Sequence, residues 1–248
     1  MFSVFPFFRK KTFVHNGLEL LRVDMHSHLV PGVDDGAEDL EESIFLIESL
    51  YALGYRTLIT TPHIRPEYFP NEPETLLERF AELQGAVAGR FAGLTMACAA
   101  EYYVDFGFLE YMERKELLTF SGRRVLIELS TIAPPPNLEE IIFALRLKGL
   151  QPVVAHPERY GYFRTKEFMR IRELGCEFQI NLMSLVGHYG TETRQRAEKL
   201  IDTGLVDFFG SDCHIPAHIG VLRELANKSA VLKRIRRASP RNSELVVE

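Results

Sequence analysis

The chain has 248 residues, 46% of them hydrophobic and 25% charged, with a formal net charge of -5. That length can bury one sizeable core, and the negative balance argues against a nucleic-acid partner held by bulk electrostatics. Three scattered cysteines, Cys98, Cys176 and Cys213, make no CxxC pair; with no apolar run near the roughly 18 residues of a membrane span, they fit a reducing cytoplasm.

Residues 1–21 read as an N-terminal extension. Its phenylalanines (Phe2, Phe5, Phe7, Phe8) precede the charges Arg9-Lys10-Lys11, the reverse of a signal peptide. Packing onto the domain, or disorder, is expected there rather than membrane contact. Short runs rich in β-branched and aromatic residues then recur at 22–25, 57–61, 95–103, 125–129, 151–155, 176–181 and 206–210, and each reads as a strand. Helical spacing fills most of the intervals. The stretch 39–53 opens with Asp39 and Glu42 in capping-box spacing and closes on Gly54. Residues 137–148 repeat the device with Asn137, Glu140 and Gly149, and further helices end at Gly175 and Gly204. Repeated helix–glycine–strand junctions imply a parallel α/β fold. Seven successive βα units favour a barrel over an open sheet. The proline run at 134–136 is expected to be a βα loop rather than a domain boundary. The predicted barrel spans residues 22–220, and the basic stretch 221–248 is expected to form a C-terminal helix or tail.

In such barrels the chemistry lies at the C-terminal strand ends. Those ends carry His26 and His28, then His63, Glu101, Glu128, His156, Asn181, and finally Asp212 and His214. One histidine at a strand end is ordinarily structural, but five of the chain's eight histidines fall at these positions. Glu128 lies in the apolar run Val-Leu-Ile-Glu-Leu, where an uncompensated carboxylate is costly. Alternation points residues two apart to one face, so His26 and His28 can reach the same ion, and Asp212 and His214 repeat that spacing. A mixed imidazole and carboxylate set suits Mn²⁺, Fe²⁺ or Zn²⁺ better than Ca²⁺. Eight or nine ligands imply two or three bridged ions. Such ions would activate a bridging water as hydroxide and neutralise charge on a phosphoryl group. Arg159, just after His156, is placed to hold that phosphate by its planar fork. A surface ion pair with Glu158 is its plainer alternative.

The stretch Asp24-Met-His-Ser-His-Leu-Val-Pro-Gly-Val-Asp-Asp-Gly36 resembles the first motif of the PHP (polymerase and histidinol phosphatase) superfamily. Within it the chain is similar to bacterial manganese-dependent protein-tyrosine phosphatases encoded with capsular and exopolysaccharide genes. Further matching motifs are Thr60-Thr-Pro-His63, Ala100-Glu-Tyr-Tyr103, Ile127-Glu-Leu-Ser130, Ala155-His-Pro-Glu-Arg-Tyr160 and Gly210-Ser-Asp-Cys-His214. The resemblance implies a distorted seven-stranded (β/α)7 PHP-type barrel with a trinuclear Mn²⁺ site. By resemblance, His26, His28, Glu101 and Asp212 hold one metal, and Glu101 bridges to a second completed by Glu128 and His156. Asp35, His63 and His214 hold the third; Asp34 is the neighbouring candidate for the role of Asp35. Arg159 matches the family's phosphate-binding arginine. The family's further arginine after the last histidine is missing from this chain, where Ile215-Pro-Ala-His-Ile-Gly220 stands; His218 or Arg65 is a candidate substitute.

The implied activity is hydrolysis of phosphotyrosine, with a bacterial tyrosine kinase of polysaccharide assembly as the expected partner. A phosphatase for a small phosphomonoester such as histidinol phosphate would use the same metals. A non-catalytic scaffold would be expected to have lost ligands, and none is missing. An amidohydrolase would want a bridging lysine where the chain has glutamates.

Overall fold

A computed structural model describes residues 17–247 of the chain, so the phenylalanine-rich start lies outside the described residues. The glycines expected to end helices do so in left-handed backbone, with φ of 108° at Gly54, 71° at Gly149, 99° at Gly175 and 71° at Gly204, a conformation only glycine adopts cheaply. Each delivers the chain into the next strand.

The described strands are β1 (Val23–Asp24), β2 (Thr57–Thr60), β3 (His63–Ile64), β4 (Thr95–Cys98), β5 (Glu101–Tyr103), β6 (Arg124–Glu128), β7 (Gln151–Ala155), β8 (Glu177–Asn181) and β9 (Phe208–Gly210). The helices are α1 (Leu40–Ala52), α2 (Pro73–Val87), α3 (Phe108–Arg114), α4 (Leu138–Leu147), α5 (Thr165–Glu173), α6 (Thr191–Asp202), α7 (Pro216–Ala226) and α8 (Ser229–Arg237). All ladders between these strands are parallel, in one sheet ordered β1-β2-β4 and another ordered β3-β5-β6-β7-β8-β9.

The segment 95–103, expected as one strand, is therefore two, interrupted at Ala99 and Ala100. The break faces Pro62, which has no N–H to donate and so cannot continue the ladder. The same break separates β2 from β3. Two chain segments thus run through both sheets. The circuit closes where the amide of Asp212 donates to His26 O at 2.8 Å and that of His28 to Cys213 O at 2.9 Å. The result is a distorted α/β barrel of seven strand segments.

Side-chain alternation sorts the core. On β6, Leu126 joins an inner cluster with Val153, Ala155 and Phe208, whereas Val125 and Ile127 pack outward among the helices. Glu128 shares the parity of Leu126 and so points inward. Asp39 caps α1 as its spacing predicts, accepting from the Glu42 amide at 2.9 Å. The matching cap at Asn137 is not made: its φ of -108° and ψ of 24° lie outside the extended region that Asp39 adopts, and its side chain accepts from none of the first amides of α4.

The basic stretch after residue 220 docks on the barrel. Helix α8 buries Leu232 and Ile235, and the chain then crosses the floor below the strands' N-terminal ends. There Arg241 reaches Glu177 at 2.6 Å and Asp207 at 2.8 Å. Asn242 donates to Val23 O at 3.0 Å and Phe209 O at 2.7 Å, and accepts from the Phe209 amide at 3.0 Å. Leu245 joins the inner cluster above it.

Candidate metal centre

Every histidine and carboxylate expected at the strand ends meets at one mouth of this barrel. Glu101, fully buried at the start of β5, is the hub. Its Oε2 lies 3.1 Å from His26 Nε2, 3.4 Å from His28 Nε2 and 3.4 Å from His63 Nδ1, and its Oε1 lies 3.1 Å from His156 Nε2. Asp212 Oδ1 approaches His26 Nε2 at 3.3 Å. Glu128 stands between His63 Nδ1 at 3.8 Å and His156 Nε2 at 3.9 Å. Outermost is Asp35, whose Oδ1 is 3.4 Å from His214 Nε2 and 3.5 Å from His63 Nε2. Among the described residues, four overlapping groups have ligand atoms within 4.8 Å of one another: His28, Asp35, His63 and His214; His26, His28 and Glu101; His26, His156 and Asp212; His63, Glu101 and Glu128.

Neighbouring acceptors decide which imidazole nitrogen faces the centre. His26 Nδ1 meets Gln179 Oε1 at 2.8 Å, His28 Nδ1 meets Asp34 Oδ2 at 2.7 Å, and His214 Nδ1 meets Asp212 O at 3.0 Å. An amide oxygen, a carboxylate and a carbonyl can only accept, so these Nδ1 atoms carry the protons and the Nε2 lone pairs face inward. Such partners are what orient and tune metal-ligating histidines. Asp34 also accepts the amides of His63 and Gly36, both at 2.9 Å. It is buried as a support, while Asp35 faces the cavity. Of the two adjacent carboxylates, the exposed one reaches the imidazoles' free nitrogens.

The backbone is bent to the same end. His156 and Asp212 have φ of 29° and 52°, left-handed values that cost a non-glycine residue about 1–2 kcal/mol. Simple alternation after Val153 and Ala155 would aim His156 among the helices; the left-handed turn brings it back to Glu101. Strain of this kind is concentrated at functional sites. Gly210 explains itself by closeness: a Cβ there would sit 2.7 Å from His26 Cβ and 2.8 Å from Gln179 Nε2.

These donors fit divalent cations. His26 Nε2 and His28 Nε2 confront each other at 3.3 Å beside Glu101, two ligand atoms that one cation could take together. His63 Nδ1 is buried without a hydrogen-bond partner among the described residues. Five carboxylates (Asp34, Asp35, Glu101, Glu128, Asp212) surround this space, against two permanent cations in the cavity wall, Arg65 and Arg159. The electrostatic response is large. Burial, then the charge of Glu101, pushes Glu128 up to about 8. Against burial, Glu101 and Asp212 raise His26 to about 9. Burial lowers His63 to about 4. Glu128 and His26 thus hold protons where a cation would otherwise sit, while His63 stays neutral.

The centre floors a cavity of about 380 Å³ walled by Arg65, Phe69, Arg159, Tyr189 and His218. Arg159 turns away from Glu158, and its Nη1 lies 3.7 Å from Asp212 Oδ2 with the guanidinium 5.0 Å from the Tyr189 ring centroid. Asp212 and Glu128 hold it charged against the cost of burial. Glu158 is instead buried, accepting from Ser184 Oγ at 2.6 Å and the Asn181 amide at 2.9 Å.

Sequence reasoning passed over Gln179 and Tyr160. Gln179 orients His26, and Tyr160 accepts the Leu129 amide at 2.9 Å and contacts His156 Nδ1 at 3.5 Å. A signal for Gln179 existed: it shares strand parity with Asn181, which donates to Asp212 Oδ2 at 2.6 Å.

Residues 22–225 match the family described as "Capsular polysaccharide synthesis, CpsB/CapC". The chain is 31% identical over 195 residues to tyrosine-protein phosphatase YwqE of Bacillus subtilis (strain 168), covering 77% of each chain. It is 33% identical over 201 residues to tyrosine-protein phosphatase CpsB of Streptococcus pneumoniae, covering 77% of this chain and 82% of that one. Its fold superposes with a TM-score of 0.75 on a chain from the crystal structures of YwqE from Bacillus subtilis and CpsB from Streptococcus pneumoniae, described as unique metal-dependent tyrosine phosphatases; that match has 25% identity and covers 91% of this chain and 96% of that one. An amidohydrolase from Mycoplasma synoviae shares the fold at a TM-score of 0.54 and 10% identity.

Proposed function

We propose, from the premise that this chain belongs to the CpsB/CapC family of capsular polysaccharide synthesis, that it is a metal-dependent protein-tyrosine phosphatase. The observation that carries the proposal is the convergence of five imidazoles and four carboxylates (Asp35, Glu101, Glu128, Asp212) on one cavity that Arg159 also walls.

His26, His28, Asp35, His63, Glu101, Glu128, His156, Asp212 and His214 would hold two or three divalent ions, with Mn²⁺ as the proposed metal. Bound there, such ions supply Lewis-acid charge and an activated water. The chain's own residues do the rest. Arg159, kept charged by Asp212 and Glu128, offers its in-plane N–H groups to the phosphoryl oxygens. Asp34, Gln179 and the Asp212 carbonyl keep three imidazoles in the tautomer that leaves Nε2 free. Burial of Glu101 and His156 excludes bulk water from the floor of the site, where fixed charges act most strongly. The barrel, residues 22–220, would be the catalytic unit, with 1–21 and 221–248 as flanking segments.

Among the described residues no helix is long and apolar enough to cross a membrane. Action in the cytoplasm, on a phosphotyrosine-bearing kinase of capsule assembly, is the reading we favour. Turnover of a phosphotyrosine peptide and of histidinol phosphate, measured across Mn²⁺, Fe²⁺ and Zn²⁺, tests the assignment. Faster hydrolysis of the peptide, strongest with Mn²⁺, is expected; a preference for histidinol phosphate would overturn it.

A further inference from the structure

Beside the metal cavity lies a second cavity of about 470 Å³, lined by Tyr102, Tyr103, Phe106 and Tyr111 among others. Arg65 forms part of the wall of both. Its guanidinium carbon lies 4.0 Å from the Tyr68 ring centroid and 3.9 Å from that of Tyr103. Both rings hold the guanidinium by cation–π contact, an interaction that does not use up its N–H donors.

The local backbone holds this arrangement rigid. A tight turn pairs Arg65 N with Phe69 O at 3.1 Å and Phe69 N with Arg65 O at 2.7 Å. Phe69 stacks on the His63 ring at 5.3 Å, and Asn71 ties the turn to His63 O and Val33 O, both at 2.8 Å. Among the described residues no carboxylate pairs with Arg65, although Glu67 and Asp105 also line the second cavity. In strand order β3, which leads into Arg65, and β7, which leads into Arg159, stand apart around the ring with β5 and β6 between them. The two arginines therefore serve different regions of the mouth.

We propose that Arg65 and the adjoining aromatic cavity form a specificity subsite for the polypeptide flanking the phosphotyrosine, with Arg65 holding a carboxylate of that flank. The inference rests on the phosphotyrosine reading. A guanidinium held against two aromatic rings, with no acidic partner among the described residues, is preorganised for a planar oxyanion, and little side-chain entropy is lost on binding. Its seat at the boundary between the cavities fits a group one step removed from the phosphoryl centre. The apolar rings beyond it suit the backbone and stem of an extended peptide. Arg65 acts as a binding residue for specificity, without a part in bond cleavage.

The test uses Arg65→Gln in the full-length, Mn²⁺-loaded protein with three substrates. These are a phosphotyrosine peptide with Glu on both sides, the same peptide with Gln, and 4-nitrophenyl phosphate. The unsubstituted enzyme should favour the Glu peptide through KM. The variant should lose that preference, with kcat/KM on the Glu peptide falling roughly tenfold or more and turnover of the Gln peptide and of 4-nitrophenyl phosphate falling much less. Equal loss on all three substrates would place Arg65 on the phosphoryl group and overturn the proposal. No loss on any, or no preference for the Glu peptide in the unsubstituted enzyme, would also overturn it. Absence of activity on every substrate in the unsubstituted enzyme would instead sink the phosphatase reading itself.

Discussion

Asp34 Oδ2 accepts from His28 Nδ1 at 2.7 Å and, with the same oxygen, from the His63 amide at 2.9 Å. One buried carboxylate thus fixes the tautomer of one imidazole and the position of the residue bearing another. Against burial, which raises it, the His28 charge and hydrogen bond hold Asp34 well below the usual carboxylate range. Asp35, the next residue, faces the free Nε2 atoms of His63 and His214.

This division of labour separates two variants. Asp34→Asn should weaken metal affinity about 10- to 100-fold while leaving kcat nearly intact once metal is saturating. Asp35→Asn removes a donor atom itself and should keep a lowered kcat at any metal concentration. Titrating activity against free Mn²⁺ distinguishes them; identical curves would contradict the separate roles of the two carboxylates.

Arg159→Ala should lower kcat/KM by about 10²- to 10³-fold with metal content unchanged, because the guanidinium touches the cavity and no expected ion. Arg159→Lys should recover only part, since an ammonium lacks the planar fork. His156→Ala should lose both metal and activity. Elemental analysis beside steady-state kinetics checks the set, and full activity in Arg159→Ala would remove it from the site.

Removing metal should make stability fall as pH rises from about 7 to 9. In the metal-free protein Glu128 is raised to about 8 by burial and Glu101, and His26 to about 9 by Glu101 and Asp212 despite burial. Both native values exceed the ordinary ones of 4.5 and 6.5, so the folded state binds more protons than the unfolded one across that window. Stability from each group is full below its unfolded value and lost through its folded value. His63, lowered to about 4 by burial, has largely released its proton in both states by then. The chelated protein should melt lower at pH 9 than at pH 7, and metal should restore more at pH 9; a flat metal-free profile would count against this.

At the opposite end of the barrel, Asn242→Ala would strand three buried backbone groups, Val23 O and the amide and carbonyl of Phe209. Unsatisfied buried groups cost about 1–3 kcal/mol each, and partial relaxation should leave a net loss of about 3 kcal/mol. Urea unfolding measures it. A change below about 0.5 kcal/mol would mean that the segment adds little to the floor.

The sequence by itself determined the succession of βα units, the glycines that end the helices and the rank of strand-end histidines and carboxylates. Each is a local matter: a left-handed residue after a helix, a parity along a strand, a charge in an apolar run. It did not reveal that Pro62 splits the sheet, that left-handed backbone re-aims His156, or that Asn137 leaves its cap unmade. Nor could spacing choose between Asp34 and Asp35, because adjacent residues differ only in which way the folded loop turns them. Tertiary structure decided these, along with the orienting role of Gln179, the docking of Asn242 under the barrel and the stacking of Arg65 between Tyr68 and Tyr103. The physical reason for the supports of Asp34 and Asn242 is distance: their hydrogen-bond partners, 29 and 219 residues apart, are brought together only by closure of the ring.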